Sequence, residues 1–247
     1  MSIASVLIVS FTLVSTSFLA GIFGMAGGMI LMLVLLIYMP VPEAMMLHGV
    51  AQMTSNFWRA LLWRRYVAWT IVGRYGLGLL AAVVIFAFVV FVPDRAMVLI
   101  VLGIVPMVAM LVPARLAPKV DRPGGAELAG VSSTAIQLVS GVSGPLLDLF
   151  FVRTVLDRRR VVASKAVCQT LTHATKLVYF GGIAGLASES VQPALFVLAA
   201  VLAIIGTSLS RIVLERLTDI QFRQWTRWIV FVLGAICLAQ GTMLSLG

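Results

Sequence analysis

Apolar runs of near-membrane length, separated by short polar breaks, recur along the whole chain. They predict spans over 43–63, 69–92, 96–112, 160–181, 191–213 and 225–245, each near the about 20 residues a bilayer-crossing helix needs. Two further apolar stretches are interrupted. Stretch 4–39 is broken by Gly21-Ile22-Phe23-Gly24-Met25-Ala26-Gly27-Gly28, and stretch 127–156 by Gly141-Val142-Ser143-Gly144-Pro145. Each reads as two short helices around a break. A half-helix of about 12–15 residues rises roughly 18–22 Å, enough to carry its tip to the middle of an apolar core about 30 Å thick.

Charge decides whether such a pair crosses once or doubles back, because cytoplasmic loops are enriched in Lys and Arg. Arg64 and Arg65 end one span, Arg115, Lys119 and Arg122 fill the central loop, Arg158 to Arg160 follow the second break, and Arg216 and Arg223 precede the last span. A single crossing at 127–156 would put the central loop and Arg158 to Arg160 on opposite sides, against the rule; a hairpin puts both inside. The same assumption for 4–39 places both termini outside, with the charge-poor turns at 40–42 and 182–190. Each half then has one hairpin plus three crossings, so the second half is inserted upside down relative to the first. This is the inverted-repeat plan of many secondary transporters. The expected fold is an all-α integral membrane protein with a first repeat at 1–112, a cytoplasmic linker at 113–126 and a second repeat at 127–247.

An ungapped self-comparison at an offset of 117 aligns Gly24 with Gly141 and Gly27 with Gly144. It also pairs His48 with Lys165, Gln52 with Gln169, Asn56 with His173 and Arg59 with Lys176. The spacing i, i+4, i+8, i+11 lines one helical face, so each half contributes one polar stripe. Glycines also serve close helix packing, and polar side chains also bond helices together. The repetition of both features in register favours a site over packing alone.

Composition narrows the classes. The 247 residues are 61% hydrophobic and 11% charged, against about 25% charged in soluble domains. Met1 to Ala20 lacks the basic residues that precede the apolar run of a cleavable signal and reads as a retained membrane segment. The net charge of +9 lies mainly in short loops, where it orients the chain in its lipid bilayer rather than binding nucleic acid. Cys168 and Cys237 stand alone, and neither metal-ligand spacing nor a nucleophile–base set is visible, so no metal, cofactor or enzyme activity is called for.

The intramembrane cations Arg59, Lys165 and Lys176, with His48 and His173, point to a cavity that attracts an anion and repels cations. The glycine breaks add backbone N–H groups at half-helix N-termini and allow close approach of a ligand, so Gly24, Gly27, Gly28, Gly141 and Gly144 join the candidate site. Pro145 suits a helix's first turn, and Ser143, Gln52, Asn56, Gln169 and Thr172 supply neutral donors. A tetrahedral or carboxylate-bearing anion fits this lining. His48, His173 and Asp148 are the candidates for a coupling proton. Glu43 is expected in the first turn of its helix, and the tryptophans near span ends read as interfacial anchors.

The break Gly24-Met25-Ala26-Gly27-Gly28, the polar helix after it, Gly73, Gly76 and Gly78 in one half and Gly206 in the other resemble the sulfite exporter TauE/SafE family over nearly the whole chain. The second break departs from the family's richer glycine run. The resemblance implies export or uptake of sulfite, sulfoacetate or related organosulfur anions driven by an ion gradient; the meeting of two hairpins and two polar helices near the midplane adds the expectation of alternating access across a bacterial inner membrane, with a proton as one candidate coupling ion. A passive anion channel and a carrier for a non-sulfur carboxylate remain alternatives, and the oligomeric state, including a homodimer, stays open.

Overall fold

The computed structural model describes residues 3–23, 25–184, 193–214 and 219–246, and among these it holds helices, turns and no strand. The helices are α1 (Ile3–Phe23), α2 (Met25–Tyr38), α3 (Val41–Leu62), α4 (Trp69–Val89), α5 (Arg95–Leu111), α6 (Gly125–Ser140), α7 (Gly144–Phe151), α8 (Arg158–Val178), α9 (Pro193–Leu214) and α10 (Asp219–Leu246). Trp69–Val89, Pro193–Ser210 and Gln224–Leu246 are long and apolar enough to cross a bilayer. α5 has 17 residues, and α3 and α8 carry the polar stripes that lower their hydropathy. On α4, Leu77, Leu80, Val84 and Phe88 face outward, and on α9 so do Val197, Val201, Ile205 and Leu209. Rows at this spacing form one helical face, here the apolar face a lipid-exposed helix presents.

Local chemistry sets the helix ends. Pro40 precedes α3, with a proline in the first turn and Glu43 beside it. The Asp94 carboxylate accepts from the Met97 N–H, and that of Asp157 from the N–H groups of Arg159 and Arg160, occupying donors that a helix start leaves free. α6 stops at Gly141, whose φ of 79° is left-handed. α8 runs into a π-helical turn at Tyr179–Ile183, a feature the hydrophobic pattern does not signal. The Tyr179 hydroxyl donates to the Phe91 carbonyl at 2.9 Å, tying this turn to the α4–α5 connection.

A side chain at Gly141 is strained twice over. The left-handed backbone costs an L-residue about 1–2 kcal/mol, and a Cβ would sit 2.9 Å from the Met45 sulfur and 3.1 Å from that of Met32. Gly141→Ala is therefore expected to destabilise the fold by about 1–3 kcal/mol, read as a lowered midpoint of thermal unfolding in detergent.

The second interrupted stretch leaves and returns at one end of the bundle. The Val120 N–H, just before α6, donates to the Phe150 carbonyl at the end of α7 at 3.0 Å, and Arg153 donates to the Arg115 carbonyl at 2.9 Å. Arg159 donates to the Tyr66 hydroxyl at 3.1 Å. The clusters at Arg64–Arg65, Arg115–Arg122 and Arg158–Arg160 therefore share this basic end. The fourth cluster, Arg216 and Arg223, lies outside the residues whose side chains are described. At the opposite end Arg95 donates to the Met39 carbonyl, 3.2 Å away. The first stretch also folds back, since Gly27 of α2 lies so close to the Thr16 carbonyl and Ala20 backbone of α1 that no Cβ fits. The half-helices are less equal than the expected 12–15 residues: α1 has 21, α2 has 14, α6 has 16 and α7 has 8.

The most extensive pairings are α1 with α9, α4 with α6, α5 with α10 and α3 with α8. Glycine makes several of them backbone-close. Gly78 faces the Glu127 carbonyl, Gly130 the Tyr75 carbonyl, Gly206 the Val14 carbonyl, and Gly103 the Gly234 carbonyl. Such contacts are how helices gain packing energy where lipid removes the hydrophobic drive between them.

Candidate functional site

The two breaks and the two polar helices meet at one small cavity. From α3 it is lined by His48, Gln52, Asn56 and Arg59, and from α8 by Gln169 and His173. Ala20 and Gly28 reach it from the first break, and Val142, Ser143 and Gly144 from the second. Among the described lining residues Arg59 alone has a permanent charge, and none carries a carboxylate. About 20 Å³ is open to the centre of a water molecule, against the roughly 10–15 Å³ that one water needs.

The side chains are held in defined states. His48 Nε2 lies 3.0 Å from the Gly28 carbonyl, which can only accept, so this nitrogen carries the hydrogen. Lys176 Nζ sits 2.9 Å from His48 Nδ1 and donates to the Gly141 carbonyl at 3.2 Å. The imidazoles of His48 and His173 are 5.6 Å apart, centroid to centroid. Arg59 donates to the Ala20 carbonyl at 3.2 Å. Arg59 and Lys176, equivalent at the offset of 117, thus each bond a main-chain carbonyl next to the break of their own half.

Gln52 is 6% exposed, and its amide nitrogen has no hydrogen-bond partner among the described residues. Leaving a buried donor unpaired costs about 1–3 kcal/mol, a cost that a ligand accepting in the cavity would offset.

The stripes do not enter the lining as two complete rows. All four α3 members do, but on α8 only Gln169 and His173 do. Lys176 is fully buried beneath the wall. Lys165 forms an ion pair with Asp148 of α7, with about a third or less of each side chain exposed, so the cation and the coupling candidate are paired with each other. Thr172 hydrogen-bonds Tyr75 at 2.6 Å, away from the cavity. Gly27 serves the α1–α2 contact, and Gly24 lies outside the described residues.

Gln137 of α6 was not singled out from the sequence. Its amide nitrogen donates to the Gly141 carbonyl at 2.8 Å and lies 2.9 Å from His173 Nδ1, while its oxygen accepts from Ser143 Oγ at 2.8 Å. The repeat comparison pairs it with Ala20, so register gave no warning. The available signal was a lone amide in a half-helix whose other residues beyond Glu127 are small, hydroxyl-bearing or aliphatic.

A family model described as "Sulfite exporter TauE/SafE" matches residues 8–237. No curated protein and no solved structure matches the chain.

Proposed function

This chain belongs to the sulfite exporter TauE/SafE family, a family of multi-pass membrane transporters of sulfur anions such as sulfite, and from that premise we propose that it is a secondary transporter of sulfite, sulfoacetate or a related sulfonate, working by alternating access. The observation that carries the reading is the cavity itself: one guanidinium, two imidazoles and three amides converge where both interrupted stretches meet, with no carboxylate among the described residues of the wall. Such a lining recognises oxyanion oxygens and disfavours Na⁺ or divalent cations.

The two halves, 1–112 and 127–247 with the linker 113–126 between them, act as inverted repeats. Exchanging α1–α5 with α6–α10 turns the α1–α9 pairing into the α6–α4 pairing and leaves α3–α8 and α5–α10 unchanged. The basic end faces the cytoplasm of a bacterial inner membrane, which puts the termini on the periplasmic side. A proton is the coupling ion, with His48 and its partner Lys176 as the group that holds it. The small volume of the cavity favours a carrier in a closed state over a standing pore.

The test is binding and uptake with sulfite, sulfate, sulfoacetate, taurine and simple carboxylates, using purified protein and proteoliposomes. Saturable uptake with counterflow of a sulfur anion is the expected result. Flux that does not saturate makes the protein a channel, and preference for a carboxylate moves it to another substrate class.

A further inference from the structure

Of the two histidines in the chain, one is held in a single hydrogen-bonding state by a residue outside the lining. The Gly141 carbonyl can only accept, so the Gln137 amide must turn its nitrogen toward it, and the Ser143 hydroxyl donating to Gln137 Oε1 fixes the same orientation. The second hydrogen of that amide then points at His173 Nδ1, 2.9 Å away, which must accept it. A hydrogen on Nδ1 would set two donors face to face.

We propose that Gln137 is a positioning residue that fixes His173 as a neutral imidazole with its hydrogen on Nε2, presenting a donor to the anion in the cavity. This rests on the anion-transport reading and adds to it a division of labour between the histidines. His48 already spends its Nε2 hydrogen on the Gly28 carbonyl. His173 lines the cavity and has its Nδ1 occupied by Gln137, which leaves Nε2 as the ring nitrogen for a ligand. The unpartnered amide nitrogen of Gln52 supplies a second neutral donor in the same wall. Neutral donors bind an anion without a further buried charge, whose cost in the bilayer would have to be met in every step when the site is empty. The Gly141 and Ser143 contacts tie this donor to the second break, so a movement of the α6–α7 hairpin would also re-aim His173.

The experiment is nitrogen NMR of the full chain in detergent with ¹⁵N-labelled histidine, assigned through a His48→Gln variant, with and without sulfite. The expected result is a His173 ring bearing its hydrogen on Nε2, with that resonance shifting when sulfite is added. Gln137→Met should release the tautomer and weaken sulfite binding by about tenfold, whereas Gln137→Glu should draw the hydrogen to Nδ1. A hydrogen on Nδ1 in the unaltered protein overturns the proposal. So does an Nε2 resonance indifferent to sulfite, or a Gln137→Met variant with both tautomer and affinity unchanged. Uptake in proteoliposomes is scored separately. Sulfite uptake with no response at His173 would sink this inference alone, while a responsive His173 without uptake would sink the transport reading alone.

Discussion

Arg59→Gln is expected to abolish saturable sulfite binding and uptake while the chain still inserts and purifies as a folded protein. Among the described cavity-lining side chains, Arg59 alone has a permanent charge. Its one described hydrogen bond is to the Ala20 carbonyl, which leaves further guanidinium N–H groups for a ligand. Truncating one partner of a buried, hydrogen-bonded charge pair costs about 2–5 kcal/mol, or roughly thirty- to several-thousand-fold in affinity. Insertion should not suffer, because Arg59 lies in the last turn of α3 and exchanging a cation for a neutral polar side chain there does not raise the cost of placing the helix in the bilayer. Arg59→Lys keeps the charge but loses the planar fork, so it should recover only part of the affinity. Calorimetric titration with sulfite checks both. Wild-type affinity in Arg59→Gln would mean that the anion binds elsewhere.

How much of this was legible in the sequence depends on the residue. The α3 stripe was fully readable, because the periodicity that put His48, Gln52, Asn56 and Arg59 on one face also puts them in one wall. On α8 the same periodicity carried over only in part. Periodicity fixes a face, but it says nothing of what a neighbouring helix brings to that face, and α7 brings Asp148 to Lys165. Lys176 lies on the expected stripe yet is directed into the bundle by two acceptors, His48 Nδ1 and the Gly141 carbonyl. Those acceptors belong to other helices and leave no local signal. Basic loops were informative because solvation and orientation act on them one by one. Gln137 escaped because its importance lies in three partners, Gly141, Ser143 and His173, none of which a helical repeat can anticipate. The short α7 and the π-helical turn after α8 were likewise beyond pattern, being set by packing against α5, α8 and the α4–α5 connection.

Charge reversal at Asp148 or Lys165 is expected to lower uptake at least about tenfold, a change of about 1.4 kcal/mol, and the combined swap Asp148→Lys with Lys165→Asp should regain most of it. On the transport reading proposed above, the pair is placed to gate the basic side. Asp148 lies four residues after Gly144 and Lys165 four before Gln169, so each is one helical turn, about 5.4 Å, from the cavity wall in the direction of the basic end. Toward the other end the cavity is backed by an apolar layer that includes Met32, Met45, Met46, Tyr179 and Phe180. The barrier on the basic side includes an ion pair, and an arriving anion can compete with Asp148 for Lys165. Losing the attraction of a partly exposed pair costs only about 0–1 kcal/mol, and the swap, which removes the like-charge repulsion that each single reversal introduces, separates lost uptake from lost folding. Neutralising one member in Asp148→Asn should also open the path. With Cys168 and Cys237 replaced by Ser, a cysteine placed at Gln169 should react faster with an impermeant thiol reagent from the basic side. Should the swap fail to restore uptake while both single variants lose it, the two residues work independently, Lys165 as a ligand for the anion and Asp148 as a proton carrier.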